Sequence, residues 1–336
     1  MTDSHWLSRP AARAWRCAPA PTEVRDFHRA LPGYAPTPLV ELPALAEELR
    51  VGRAFVKDES ARLGLPAFKV LGASWAIHRA LAERPPGPVT LVTATDGNHG
   101  RAVARIARLL GHRAHVHVPR GVPAAAIDAI TGEGATVTEV DGSYDDAVRR
   151  AADTPDAVLI QDTAWPGYER VPGWIVEGYA TLCEEIDEQL PAGPDLVVVP
   201  VGVGSLAQAV ITHYRSRPGG RAPALMSVEP RSAACVLESL TRGELVGVGT
   251  GATVMAGLNC GTPSSIAWPF LHGGLDAAVA IPDADSVRAA ADLARLGVSS
   301  GPCGAAPLAG LRAARGELDL GPDSVVVLLN TEAASR

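Results

Sequence analysis

Short apolar runs alternate with longer amphipathic stretches along almost all of this 336-residue chain, and that alternation limits the fold more than any other feature. Runs at 54–57, 89–93, 114–118, 135–140, 157–160, 196–201, 224–229, 278–281 and 324–329 read as strands. Helical patterns cover 70–82, 98–110, 123–131, 144–152, 174–189, 205–214, 285–296 and 304–314. The run Leu196-Val-Val-Val-Pro-Val201 has no polar face, so both of its sides must be covered, as in a parallel sheet between helices. The pattern predicts an α/β fold with parallel sheets and helices on both faces. Ligands of such sheets gather at the carboxyl ends of strands, so function is sought in the loops that follow them.

Composition removes several classes. With 37 acidic and 30 basic side chains the net charge is −7, and without a basic run no nucleic-acid partner is expected. No apolar run approaches the ~20 residues of a membrane helix. The start, Met-Thr-Asp-Ser-His-Trp, lacks the charged and apolar regions of a secretory signal. Cys17, Cys183, Cys235, Cys260 and Cys303 are odd in number and form no C-x-x-C pair, which fits the reducing cytoplasm and free thiols. His112, His115 and His117 fall close together, but a strand face accounts for them and no metal site is expected. The sharpest oddity is lysine: 28 of the 30 basic residues are Arg, leaving only Lys57 and Lys69. A compact amine differs chemically from a guanidinium, so these two positions are where an amine is required.

Four loops carry candidate chemistry. Lys69 stands at the start of the helical pattern 70–82, among Phe68, Val70 and Leu71. Desolvation and the positive helix end should lower its pKa, and a neutral, fixed amine is what imine formation needs. An ordinary first-turn lysine reaching to water is the plainer reading of that spacing. After the run 89–93 comes Thr95-Asp96-Gly97-Asn98-His99-Gly100-Arg101, whose glycines and helix-start amides suit a carboxylate. After 196–201 comes Gly202-Val203-Gly204-Ser205, a turn into a helix that can hold a phosphate. It lacks the third glycine of a dinucleotide site and the lysine of a triphosphate loop. After 157–160 comes Gln161-Asp162-Thr163-Ala164-Trp165, with an Asp placed for proton transfer or simply for a turn.

Taken with Gly257–Ser264 and Ser300-Gly301, these segments stand in the order found in fold-type II pyridoxal-phosphate enzymes of the tryptophan synthase β-like class. The sequence most resembles the diaminopropionate ammonia-lyase branch, from residue 57 to residue 331. Threonine and serine dehydratases share the scaffold and typically carry serine where this chain has Asp96. The resemblance implies pyridoxal 5'-phosphate as cofactor, two open parallel-sheet domains with the cofactor in the cleft, and a homodimer. It implies a large domain at 1–63 and 191–336 and a small one at 64–190. It implies that Lys69 carries the cofactor, Asn98 bonds its phenolic oxygen, and Gly202, Val203, Gly204 and Ser205 cradle its phosphate. Thr331 would face the ring nitrogen; a hydroxyl there leaves the ring a weaker electron sink, which favours prompt loss of a β-leaving group. Backbone amides around Thr95, Gly97 and His99 would take the substrate carboxylate.

The substrate reading has its own physical basis. A serine site has no use for two carboxylates, whereas Asp96 and Asp162 can attract the second amine of 2,3-diaminopropionate and exchange protons with it. The expected reaction is α,β-elimination to pyruvate and ammonia, with Lys69, Asp96 and Asp162 as the catalytic set. The alternatives are a serine/threonine dehydratase or β-replacement synthase, and a catalytically silent ligand-binding homologue. Two departures from the branch stand out: Ser300-Gly301 continues with Pro302-Cys303-Gly304 instead of Glu-Ser-Gly, and the chain ends soon after Asn330-Thr331-Glu332-Ala333. Lys57 is expected to be an electrostatic neighbour of the site.

Overall fold

The structure, a computed structural model, describes residues 5–217 and 222–334. Strands are β1 (Trp6–Ser8), β2 (Leu39–Glu41), β3 (Arg53–Asp58), β4 (Thr90–Ala94), β5 (Arg113–Pro119), β6 (Thr136–Val140), β7 (Ala157–Leu159), β8 (Leu196–Pro200), β9 (Ala224–Pro230), β10 (Ala277–Ile281) and β11 (Val325–Asn330). Helices are α1 (Val24–Arg29), α2 (Pro43–Leu49), α3 (Val70–Ala82), α4 (Asn98–Leu109), α5 (Ala124–Gly132), α6 (Tyr144–Ala152), α7 (Arg170–Gly178), α8 (Ala180–Gln189), α9 (Ser205–Arg215), α10 (Cys235–Arg242), α11 (Trp268–Gly274), α12 (Asp283–Arg295) and α13 (Pro302–Ala314). All the apolar runs singled out in the sequence become strands. The two unforeseen strands, β1 and β2, are three residues each and too short to show a period.

One expected helix is two. The pattern over 174–189 breaks at Tyr179, between α7 and α8. A side chain at Gly178 would lie 2.5 Å from Leu71 O, so the end of α7 is pressed onto the backbone of α3. Tyr179 N then bonds Val176 O at 3.1 Å, a tightened last turn, and the chain passes from one compact unit to the other between Tyr179 and Ala180.

The first unit comprises residues 1–25, 32–68 and 180–336. Its sheet has the order β1-β10-β9-β8-β11-β3-β2; the five inner strands are parallel and both edge strands antiparallel. Val198, Met226, Val228, Val326 and Leu328 join Ala305, Leu308, Ala309 and Leu311 of α13 in one core. Burying each large aliphatic side chain there contributes about 1.5–3 kcal/mol. The helix lies close to the sheet because its contact residues are small: a Cβ at Gly310 would sit 2.4 Å from Val228 Cγ2. Pro302, one of the departures noted above, is a first-turn residue of α13, where a missing N–H costs nothing and a fixed φ favours the helix.

Lys57 belongs to this unit. Its side chain is fully buried, with Nζ 2.6 Å from Glu185 Oε2 and 2.7 Å from Thr37 O. Arg62 donates to the same carboxylate through Nη1 at 2.7 Å and to Glu59 Oε1 at 2.6 Å. Burial pushes the Glu185 carboxyl up, but Arg62 and Lys57 outweigh that and hold it at about 2. Burial pulls the Lys57 amine down against the opposing pull of Glu185 and Glu59, and its hydrogen bonds tie it into the internal frame of this unit.

The second unit comprises residues 26–31 and 69–179. Its sheet, β6-β5-β4-β7, is wholly parallel. Val92 and Ala94 of β4 pack with Ala147 and Ala151 of α6, so the carboxyl ends of β4 and β7 open onto the loops at 95–97 and 160–169. On β5 the His115 and His117 rings lie 4.3 Å apart, with Nε2 atoms bonded to Thr138 Oγ1 and Thr154 Oγ1. No cluster of three or more His, Cys, Asp or Glu side chains suited to a metal occurs among the described residues. No helix among them is long and apolar enough to cross a membrane.

Candidate active site

Within the second unit the structure brings together Lys69, Asp162 and His99. Lys69 immediately precedes α3, and its Nζ donates to Asp162 Oδ2 at 2.8 Å. Burial pulls the amine down, as the sequence leads one to expect. The Asp162 carboxylate outweighs burial, with Tyr179 and Tyr144 adding to it, and the ammonium is held above its ordinary value. The expected lowered pKa is thus corrected, because desolvation was read from the sequence while the counter-ion, 93 residues away, was not. Asp162 responds in the opposite sense: burial raises its carboxyl, but Lys69 and then His99 hold it well below the usual carboxylate range.

Gln161 sets the position of Asp162. Its Oε1 accepts from Ala94 N at 2.9 Å and Thr93 Oγ1 at 3.0 Å, while its Nε2 donates to Tyr144 OH at 3.0 Å and Asp162 Oδ1 at 3.4 Å. Its own N–H donates to Tyr168 OH at 2.9 Å, and that hydroxyl donates to Leu159 O at 2.9 Å. The Tyr168 ring stacks on Trp165 at 4.3 Å. A fully buried amide with every group engaged fixes the end of β7 against the end of β4. The sequence displayed Gln161 beside Asp162 but gave it no role, since its partners lie on two other elements.

The loop after β4 has a defined local cause. A Cβ at Gly100 would lie 2.2 Å from Thr95 Cγ2, so only glycine lets α4 turn back over the strand end. Asn98 opens α4, and Asp96 is exposed just before it. Surrounding protein raises the Asp96 carboxyl, its own backbone opposes this, and Asp162 adds repulsion against the pull of Lys69 and His99. Thr95 N is committed to His117 O at 3.0 Å, and Gly97 N to Thr95 Oγ1 at 3.0 Å. The amide of His99, in the first turn of α4, has no acceptor within its helix and is left for an anion.

The first unit holds the remaining expected residues. Gly202-Val203-Gly204-Ser205 runs from β8 into α9, an 11-residue helix. Gly204 has φ +101°, and a Cβ on it would meet Leu271 Cδ1 at 2.7 Å, so the turn requires glycine there. Ser264 N bonds Val203 O at 2.8 Å, while the buried Ser264 Oγ has no hydrogen-bond partner. An orphaned hydroxyl beside a glycine turn and a helix N-terminus has the donor chemistry of a phosphate site. Ser264 was visible in the sequence only as the end of a resembling segment. Thr331, 5% exposed, follows Asn330 at the carboxyl end of β11. Within the first unit these donors suit a phosphate; within the second, the Lys69 side chain is 28% exposed and its amine is open to an aldehyde.

Comparison with known proteins agrees with that chemistry. The family described as pyridoxal-phosphate dependent enzyme matches residues 30–332. Diaminopropionate ammonia-lyase of Salmonella typhimurium is 40% identical over 280 residues, covering 74% of this chain and 69% of the relative. Biosynthetic L-threonine dehydratase of Mycobacterium leprae is 29% identical over 307 residues, covering 90% of this chain and 69% of the relative. Among solved structures, diaminopropionate ammonia-lyase from Escherichia coli, in complex with an aminoacrylate–pyridoxal phosphate reaction intermediate, superposes with a TM-score of 0.87. That match has 32% identity and covers 98% of this chain and 93% of the other. Maize serine racemase shares the fold, with a TM-score of 0.81 at 23% identity over 95% of each chain. The chain belongs to the pyridoxal-phosphate dependent enzymes, of fold type II.

Proposed function

We propose that the protein is a pyridoxal-phosphate-dependent carbon–nitrogen lyase that converts 2,3-diaminopropionate, or a close β-amino analogue, to pyruvate and ammonia. The observation that carries the reading is the pair of carboxylates near one lysine. Asp162 lies 2.8 Å from Lys69 Nζ, and Asp96 stands on the neighbouring loop within the electrostatic reach of both. The 40% identity to a diaminopropionate ammonia-lyase supports the same substrate.

The residue types suit the cofactor: Lys69 would supply the amine for its aldehyde, Asn98 a donor for its phenolic oxygen, Gly202 to Ser205 the amides for its phosphate, and Thr331 a hydroxyl for its ring nitrogen. When bound, the cofactor supplies an electron-accepting ring that makes the substrate α-proton removable. The Thr95 and Gly97 amides are taken by His117 O and Thr95 Oγ1, so of the three expected donors the helix-start amide of His99 is the one placed to bind the substrate carboxylate. Asp162 is held by Lys69 in the ionised form that a base requires. Asp96, on the loop before α4, is placed to attract the β-ammonium, which leaves as ammonia. Elimination leaves 2-aminoacrylate, which hydrolyses to pyruvate and a second ammonia.

The odd number of cysteines without a C-x-x-C pair supports a reducing, cytoplasmic setting, and a homodimer is proposed from the family resemblance. The second reading is a serine/threonine dehydratase, favoured by the 29% identity to L-threonine dehydratase. The deciding experiment follows the visible spectrum of the purified holoenzyme and pyruvate release as diaminopropionate, serine and threonine are each titrated in. Preference for diaminopropionate is expected; equal turnover of all three would defeat the role given to the aspartates.

A further inference from the structure

The His99 ring has one nitrogen in use and one in waiting. It is 4% exposed, and Nε2 lies 2.7 Å from Ile160 O. A carbonyl oxygen only accepts, so Nε2 carries the hydrogen and, in a neutral ring, Nδ1 is a bare lone pair. Burial favours the neutral ring; Asp162 and Asp96 oppose that while Lys69 assists it, and the net direction is down. Nδ1 is buried without a hydrogen-bond partner, and it stands 3.9 Å from Asp162 Oδ2. Two acceptors with no proton between them hold apart at such a distance. One proton on Oδ2 turns the repulsion into an O–H···N bond.

The two side chains hydrogen-bonded to Asp162 from outside do not serve that proton. Lys69 Nζ at 2.8 Å from Oδ2 and Gln161 Nε2 at 3.4 Å from Oδ1 are donors, suited to the carboxylate and not to the acid. Tyr168 and Tyr179 also face it, and burial pushes both phenols up so that they remain protonated; Tyr144 bears on Lys69, and Asp96 adds only negative charge. Donors thus stabilise one protonation state of Asp162 and the His99 lone pair stabilises the other.

We propose that His99 is a positioning residue for proton transfer: its Nδ1 accepts a hydrogen bond from Asp162 Oδ2 whenever Asp162 has taken the substrate proton. The proposal rests on the reading of Asp162 as the base. In the first step the substrate α-C–H bond breaks, its electron pair stays on carbon, and an O–H bond forms at Oδ2, directed at Nδ1. In the second the pair on carbon forms the C=C bond, the β-ammonium leaves as ammonia with its bonding pair, and the O–H bond breaks as an N–H bond forms on the released ammonia. Asp162 and His99 end as they began. The same device raises the basicity of a carboxylate that Lys69 would otherwise make too weak a base.

The test uses the holoenzyme with two variants. His99→Gln sets an amide N–H where Nε2 stands, keeping the bond to Ile160 O, and has no acceptor at Nδ1. His99→Asn sets an amide oxygen near Nδ1. In wild type, 15N NMR of ring-labelled histidine is expected to show His99 as the neutral Nε2–H tautomer. In His99→Gln, kcat should fall about tenfold with KM within about twofold, and the acidic limb of the kcat profile should move to lower pH, because the protonated carboxyl loses its acceptor. His99→Asn should regain part of the acidic-limb position. An Nδ1–H tautomer in wild type, or a His99→Gln pH profile that superposes on wild type, overturns the proposal. If His99→Gln fails to fold, the wild-type tautomer decides. The NMR reading needs no substrate, and the profiles can be run with any β-substituted amino acid that turns over. A failure with 2,3-diaminopropionate alone therefore overturns the substrate reading, while the expected tautomer and limb shift with another amino acid uphold this one.

Discussion

The Ala94 N–H donates to Gln161 Oε1 at 2.9 Å, and with the Thr93 hydroxyl on the same oxygen it ties together the ends of the two strands whose loops carry Asp96 and Asp162. Replacing Gln161 with Leu leaves a buried backbone donor unsatisfied, at a cost of about 1–3 kcal/mol. Chemical denaturation should show that loss, and kcat should fall about tenfold because Asp162 is no longer oriented. Unchanged kcat with the expected loss of stability would mean that the bond serves the fold alone.

Lys69 and Asp162 should separate by experiment. Lys69→Ala should lose the cofactor-imine absorbance and any borohydride-fixed cofactor mass, since no other amine stands there. Asp162→Asn should keep the covalent link and lose about 10²–10⁴ in kcat, the usual size of a general-base contribution. Absorbance spectra and peptide mass mapping read the first, steady-state kinetics the second.

Asp96→Ser places on this loop the residue typical of the dehydratases. With its attraction to a β-ammonium removed, KM for 2,3-diaminopropionate should rise about tenfold or more while turnover of serine is spared or improved. Ratios of kcat/KM for the two amino acids measure this; a ratio that does not move would assign Asp96 no part in selecting the amine.

Gly204→Ala forces a side chain into φ +101° and against Leu271 Cδ1 at 2.7 Å. A cost of about 1–3 kcal/mol is expected from the backbone conformation alone. The glycine turn should open, so cofactor affinity, measured by equilibrium titration of the apoprotein, should fall together with the melting temperature.

Glu229 offers a pH test outside the site. It is fully buried, and burial raises its carboxyl to about 8, against the pull of the Val236 and Leu237 N–H groups bonded to it at 2.7 Å. Its folded pKa exceeds its unfolded value, so the folded chain binds the extra proton. Its stabilising contribution is complete below about pH 4.5 and is lost as pH rises through about 8. Over that window the loss is at most about 1.4 kcal/mol per pH unit. Glu229→Gln should flatten this part of the stability–pH curve in denaturant titrations at pH 6 and pH 9.

The sequence determined what is local. Alternating patterns placed the strands, because apolar runs report burial directly. The loops after β4, β7 and β8 were found because ligand loops follow parallel strands, and Lys69 stood out because arginine replaces lysine at every other position but one. Short elements such as β1 and α1 show no period, and the break at Tyr179 depends on how closely Gly178 meets α3. Charge state was beyond the sequence altogether. Lys57 and Lys69 look alike as lysines after apolar residues, yet one is buried against Glu185 in the frame of its unit and the other is held as an ammonium by Asp162. The His99 ring likewise reads as a helix-start residue until Ile160 O fixes its tautomer. Residue type and spacing fix which chemistry a chain can perform. The counter-ions and acceptors that set each proton come from distant segments, and only tertiary packing brings those within the few ångströms over which such forces act.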